Sequence, residues 1–245
     1  MPCSVTLMPV RKILPMPAHV NRRTVSRQAL SALSLTDSTT HSMIEVHHLN
    51  ESRSRRITWL LEELGLDYTL VQYQRNPQTR LAPPELMAIH PLGKAPVVRD
   101  GEKVIFESGA IVDYLIRRHG NGRLAPAYGT DEYDRYAQFL HYAEGSAMLP
   151  LMLKVYTARL GEGAAPLQPR IESELQNHLG FLNQELAGRD YLMGDELTGV
   201  DIQLSFVAQT CLKFCGRDAF PNITAFVDRI EARPAYRRAM EKGGA

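Results

Sequence analysis

Pro96-Val97-Val98-Arg99-Asp100-Gly101-Glu102-Lys103-Val104-Ile105-Phe106-Glu107-Ser108 decides how the chain folds. Two short β-branched and aromatic runs flank Asp100-Gly101, which predicts two antiparallel strands joined by a tight turn. Ser108 then opens a helix whose buried stripe includes Ile111, Tyr114 and Leu115. Upstream, Ile44-Glu45-Val46-His47-His48-Leu49 reads as a strand. After it, Ile57, Leu60, Leu61 and Leu64 recur at helical spacing, with Gly65 placed to cap that helix. Tyr68 to Tyr73 is a second strand, ended by Asn76-Pro77, and Pro84 to Ile89 reads as a short helix opened by Pro83-Pro84. The order β-α-β-α-β-β-α makes the first two strands parallel with a right-handed crossover and the last two a hairpin. That mixed sheet with helices on both faces is the thioredoxin-like arrangement, and a fold alone names no function.

Beyond Gly120 the pattern lapses into Gly-rich and Pro-rich sequence, and then every periodic segment is helical. We divide the chain into a tail (1–42), a thioredoxin-like domain (43–120), a linker (121–130) and an all-helical domain (131–245). In the last, Tyr133 to about Leu160 reads as a long helix kinked at Pro150. Ile171, Leu175, Leu179, Leu182 and Leu186 form an apolar stripe ending at Gly188. Asp201 to Cys215 is apolar on most sides, so it is the expected central helix. Thr198 and Asp201 stand before it at capping-box spacing. A last helix is expected from Asn222 to Arg233, broken by Pro234.

Composition narrows the function classes. The 245 residues are 44% hydrophobic and 22% charged with net charge +1, so no charge field argues for nucleic acid or an anionic membrane. No apolar run approaches the ~18 residues of a membrane helix. The three cysteines, Cys3, Cys211 and Cys215, form no disulfide framework, which fits a reducing, cytoplasmic setting. Cys211 and Cys215 lack C-x-x-C spacing and read as core thiols. Before Glu45 the only acid is Asp37, against Arg11, Lys12, Arg22, Arg23 and Arg27. That tail reads as disordered chain, as an over-long start with Met43 the initiator, or as an organellar transit peptide. The eight histidines show no metal-ligand spacing. His47 and His48 point to opposite faces of a strand, and His48 and His90 read as structural.

Three features have chemistry in them. Gly93-Lys94-Ala95-Pro96 lies at a strand start, where an outward backbone can pair with an extended peptide. Glu107-Ser108 lies at a strand-to-helix junction, where an N-cap and a helix N-terminus favour a carboxylate and Glu107 an ammonium group. Asn50-Glu51-Ser52-Arg53-Ser54 precedes a helix, where a hydroxyl and the helix field would stabilise a thiolate. Each also has a plain structural reading as a strand start or helix cap.

Their order resembles the glutathione transferases. The residues that carry the resemblance are His47 to Ser54, Trp59-Leu60-Leu61-Glu62-Glu63-Leu64, Ala82-Pro83-Pro84-Glu85-Leu86, His90 to Pro96 and Glu107-Ser108-Gly109-Ala110-Ile111. Asp201-Ile202, Pro221-Asn222-Ile223 and Arg233-Pro234 match as well, so it spans Met43 to about Lys242, closer to bacterial and fungal serine-type members than to tyrosine-type ones. The resemblance implies a homodimeric, detoxifying enzyme that needs glutathione as co-substrate and no other cofactor. It implies a cis Pro96, Ala95 against the cysteinyl unit, Glu107 and Ser108 on the γ-glutamyl end, and Lys94 on the glycine carboxylate. Ser52 would hydrogen-bond the sulfur, with Asn50, Glu51 and Ser54 in contention. A small hydrophobic electrophile would sit between the domains, with Tyr142, Met148 and Met152 as candidates to line its pocket. Glutathione-dependent disulfide or peroxide reduction, or a non-catalytic binding module, are the alternatives.

The magnitudes permit the thiolate chemistry. Lowering a free thiol from about 8.5 by about two units takes about 2.7 kcal/mol. One hydrogen bond to a charged group supplies about 1.5–3 kcal/mol and a helix end about 0.3–1. A hydroxyl and a helix terminus therefore suffice.

Overall fold

The computed structural model describes residues 43–243; the expectations for the tail lie outside them. Strand β1 (Ile44–Leu49) is followed by α1 (Ser54–Leu64), β2 (Tyr68–Tyr73), the short α2 (Glu85–Ile89), β3 (Val97–Asp100), β4 (Lys103–Phe106) and α3 (Ser108–His119). The sheet order is β2-β1-β3-β4, with β1 parallel to β2 and antiparallel to β3. Being central, β1 is covered on both faces, and only Glu45 of its six residues escapes burial. Gly65 closes α1 in the left-handed conformation (φ 66°), as its position predicts. The hairpin turn itself is Gly101-Glu102, because Asp100 still pairs with Lys103. The Asp100 carboxylate accepts the Tyr114 hydroxyl at 2.8 Å and faces His119 Nε2 at 2.9 Å, fixing α3 against the hairpin.

The remaining helices are α4 (Asp131–Tyr142), α5 (Met148–Thr157), α6 (Gln168–Glu185), α7 (Gly199–Cys215), α8 (Pro221–Ala232) and α9 (Pro234–Gly243). Two expectations are corrected. The long helix does break, but at a π-helical turn over Ala143–Ala147, where the Met148 N–H reaches the Ala143 carbonyl, and not at Pro150. Pro150 falls in the first turn of α5, where a missing N–H costs little. Nor does Pro234 end the helices. Arg233 is extended (ψ 133°), as a residue before proline prefers, and Pro234 starts α9.

Helix α9 explains the paired acids of α1. Glu62 accepts Arg238 Nε at 2.9 Å and Lys242 Nζ at 2.5 Å, and Glu63 takes both arms of the Arg233 guanidinium at 2.6 and 2.9 Å. Burial alone would raise the Glu62 carboxyl, but the Lys242, Arg238 and Tyr68 hydrogen bonds outweigh it and hold it below the usual range. Around them one buried cluster runs from Ile44 through Trp59, Val112 and Leu151 to Ala239, so sheet and helices share a core. At the base of α7 the expected capping box is present: the Asp201 carboxylate accepts the Thr198 N–H at 2.8 Å and also the Leu192 N–H at 2.9 Å. No helix among the described residues is long and apolar enough to cross a membrane.

Candidate active site

The turn after β1 leads Asn50 to Arg53 into α1, with Glu51 at positive φ (51°). Four residues compete here for the role beside a thiol, and their contacts separate them. The Asn50 side-chain oxygen accepts the Arg75 N–H at 2.8 Å, and Glu51 is paired with Arg80. Both therefore tie the loop to the chain after β2. Ser54 is fully buried and receives the Leu49 N–H at 3.2 Å, locking the first turn of α1 to the end of β1. Ser52 alone of the four lines a cavity without its side chain being held by a distant element. It accepts the Ser54 N–H at 3.2 Å, which places it in the positive field of the α1 N-terminus.

The Ser52 hydroxyl is not isolated. Ser52 Oγ lies 2.6 Å from Ser54 Oγ, which lies 3.0 Å from His48 Nδ1. Burial holds His48 below its ordinary pKa, so the ring is neutral near pH 7. When Nδ1 carries its proton it donates to Ser54, and the Ser52 proton is free to reach a ligand. In the other tautomer Ser54 donates to His48, and Ser52 is drawn toward Ser54. The structural reading of His48 thus missed its link to Ser52; the link depends on how β1 and α1 meet.

The Gly93–Pro96 and Glu107-Ser108 segments share a cavity of about 230 Å³, lined by Lys94, Ala95, Pro96, Glu107 and Ser108. The Ala95-Pro96 peptide is cis. Ser108 is not the cap of α3 but its first residue; Glu107 holds the cap with a strained backbone (φ 67°, ψ 117°). The Ser108 Oγ accepts Arg56 Nη1 at 3.0 Å and Gln203 Nε2 at 3.1 Å. Two donors occupy its lone pairs, so its own proton is left to give to an acceptor in the cavity.

Arg56 is buried, and that burial pushes its guanidinium down to about 10, still charged at neutral pH. Its main counter-charge is Glu144, on the π-helical turn, at 2.5 Å; Glu144 also accepts Arg53 Nε at 2.7 Å. Burial would raise the Glu144 carboxyl, but these two guanidinia outweigh it and keep it low. Sequence reading missed this trio. Arg53 and Arg56 share a helix face three residues apart, which is a local hint, whereas Glu144 reaches them only through tertiary packing.

A second cavity, of about 490 Å³, adjoins the first through Arg53, Lys94 and Ala95 and includes Ser52. Met152 lines it, with Val155, Tyr156 and Phe206. Met148 is buried in the core and faces a neighbouring cavity beside Gln209. Tyr142 is not brought to either: its hydroxyl donates to the His178 carbonyl at 3.1 Å and its ring packs on Phe181. The π-helical turn begins just after it and changes which face of the next turn meets the cavity. Among the described residues no group of three or more His, Cys, Asp or Glu is placed to hold a metal ion.

Comparison with known proteins agrees with this fold. Residues 41–117 match the glutathione S-transferase N-terminal domain model, and residues 139–234 match the C-terminal domain model. The chain belongs to the glutathione S-transferase family. It is 31% identical to glutathione S-transferase 1 of Saccharomyces cerevisiae, over 83% of this chain and 96% of that one. It superimposes on the crystal structure of a glutathione S-transferase from Actinobacillus pleuropneumoniae with a TM-score of 0.76 at 38% identity, covering 82% of this transferase-family chain and 93% of that one. It is also 29% identical to a probable elongation factor 1-gamma of Arabidopsis thaliana, over 64% of this chain but 39% of that protein.

Proposed function

We propose that this family member binds glutathione across the smaller cavity and activates its thiol for attack on small electrophiles. The observation that carries the reading is the convergence of Lys94, Ala95, Pro96, Glu107 and Ser108 on one cavity that shares Arg53, Lys94 and Ala95 with the neighbouring cavity lined by Ser52. The γ-glutamyl carboxylate accepts the Ser108 proton, and its ammonium group meets Glu107. Ala95 faces the cysteinyl unit and Lys94 the glycine carboxylate. The Ser52 hydroxyl then donates to the sulfur. The thiol proton leaves to water, and the thiolate attacks an electrophile held in the larger cavity. Buried Arg56, held in turn by half-buried Glu144, keeps the Ser108 hydroxyl aimed without movement during the reaction.

The test is conjugation of glutathione to an aryl halide, alongside calorimetric binding of glutathione. Wild type should bind and turn over. Ser52→Ala should keep glutathione affinity and lose roughly 10- to 100-fold in kcat/KM, the equivalent of one charged hydrogen bond. Absence of glutathione binding by the wild type contradicts the reading. Full activity of Ser52→Ala removes only the serine. A binding module without turnover is the second reading, favoured by the elongation-factor relative, and it predicts glutathione affinity without conjugation.

A further inference from the structure

The larger cavity has a charge as well as a shape. Its apolar wall comes from Leu81, Met152, Tyr156 and Phe206, as a hydrophobic substrate requires. Its rim, however, carries Arg53, Arg75, Arg80, Lys94 and Arg159 against one acid, Glu51. Three of these cations are accounted for. Arg80 pairs with Glu51, Arg53 with Glu144, and Lys94 is the residue set aside above for the glycine carboxylate. Two remain. Arg75 spends its guanidinium on the backbone carbonyls of Asn50, Glu51 and Arg80, which orient it without cancelling its charge. Arg159, exposed on the 3₁₀ stretch Ala158–Ala164, has no hydrogen-bond or ion-pair partner among the described residues. An apolar wall rimmed by the unpaired Arg159, with Arg75 nearby and only partly offset by Glu51, suits a ligand with an apolar body and an anionic end.

We infer that the second substrate is an acidic electrophile, an apolar group bearing a carboxylate, and that Arg159 receives that charge. This rests on the conjugation reading above and names the substrate class of the same site. The charge contributes in the ground state and transition state alike, so it lowers KM and leaves kcat alone. Because Arg159 is exposed the effect is modest and weakens with salt.

A matched pair of aryl chlorides tests it: 4-chloro-3-nitrobenzoate and the corresponding benzamide. In each the glutathione sulfur forms the C–S bond, chloride leaves from the same carbon, and the thiol proton passes to water. Each kcat/KM is divided by the uncatalysed second-order rate, which removes the difference in intrinsic reactivity. The expected result is a preference of roughly threefold to tenfold for the acid, carried by KM and reduced at high salt. Arg159→Gln should remove most of the preference without changing turnover of the amide, and Arg159→Lys should retain most of it. Equal corrected values for the pair, or a preference that survives largely intact in Arg159→Gln, overturns the inference. Calorimetry with 3-nitrobenzoate and 3-nitrobenzamide, which have no leaving group, reads the same preference without turnover. Failed conjugation with intact acid preference would therefore sink the catalytic reading, and with it the word substrate, and leave Arg159 as the receiver of a bound acid. A stoichiometry of two glutathiones per chain would give the cavity's charge to a second thiol peptide and overturn the assignment.

Discussion

Ser52 and Ser54 stand two residues apart, carry the same hydroxyl and touch each other, yet the fold gives them different work. Ser54 is surrounded by the Leu49 N–H, the Leu49 carbonyl, His48 Nδ1 and the Ser52 hydroxyl, all within 3.3 Å. Its removal leaves a buried backbone donor without an acceptor. Ser54→Ala should therefore cost about 1–3 kcal/mol in urea unfolding while glutathione affinity changes little. Equal stability of the variant and wild type would mean that water or a neighbour replaces the hydroxyl. The sequence could not rank these serines, because both are good residues before a helix. What separates them is which one the end of β1 covers. The same holds for Tyr142 and Met152. Both lie on apolar helix faces in sequence, and the π-helical turn between them sends one toward α6 and the other toward the cavity.

Local signals were the legible ones among the elements. Gly65 behind α1, the Thr198–Asp201 box before α7 and the hairpin near Gly101 all act within a few residues, so composition records them. Proline was ambiguous for a physical reason: it disfavours the helix before it and suits the first turn of the helix after it, and Pro150 and Pro234 both do the second. The base of α7 makes two predictions. A Cβ on Gly199 would stand 2.4 Å from the Tyr136 hydroxyl and 2.5 Å from Ile116 Cδ1, so α7 meets α3 and α4 with no room for a methyl group. Gly199→Ala should destabilise by about 1–3 kcal/mol in thermal or urea unfolding, and an unchanged midpoint would show that these side chains yield freely.

Next to it, burial pushes the Asp201 carboxyl up to about 6 from 3.8, against the pull of the Leu192 and Thr198 hydrogen bonds. The native state then holds a proton that the unfolded chain releases. This contribution is most favourable below about pH 4 and is lost as pH rises through about 6. Asp201→Asn removes the titration and leaves one acceptor oxygen for donors that occupied two, those of Thr198 and Leu192. Its stability deficit relative to wild type should shrink as pH rises across that window, by on the order of 1–3 kcal/mol. A deficit that grows would reverse the sign of the shift.

For the whole molecule, element order and helical content followed from periodicity, and the candidate residues Lys94, Glu107 and Ser108 were legible as short motifs in sequence order. Their meeting in one cavity was not, nor were the pieces that join sheet to helices: Glu144 against Arg53 and Arg56, and α9 against Glu62 and Glu63. Those contacts span residues far apart in the chain, and neither partner's local sequence requires the other. They matter because the proposed site is shared: one wall comes from the end of β1 and the loops after β1, after β2 and before β3, the other from α5 and α7. On the function proposed above, this shared site stabilises the glutathione thiolate through Ser52. The most direct measurement is the ultraviolet titration of the thiolate of glutathione bound to the protein, wild type beside Ser52→Ala. The account predicts half-titration about two units below the free thiol's ~8.5 in the wild type, and a return most of the way to that value in the variant. A bound thiol in the wild type that titrates at or above the free value would contradict it.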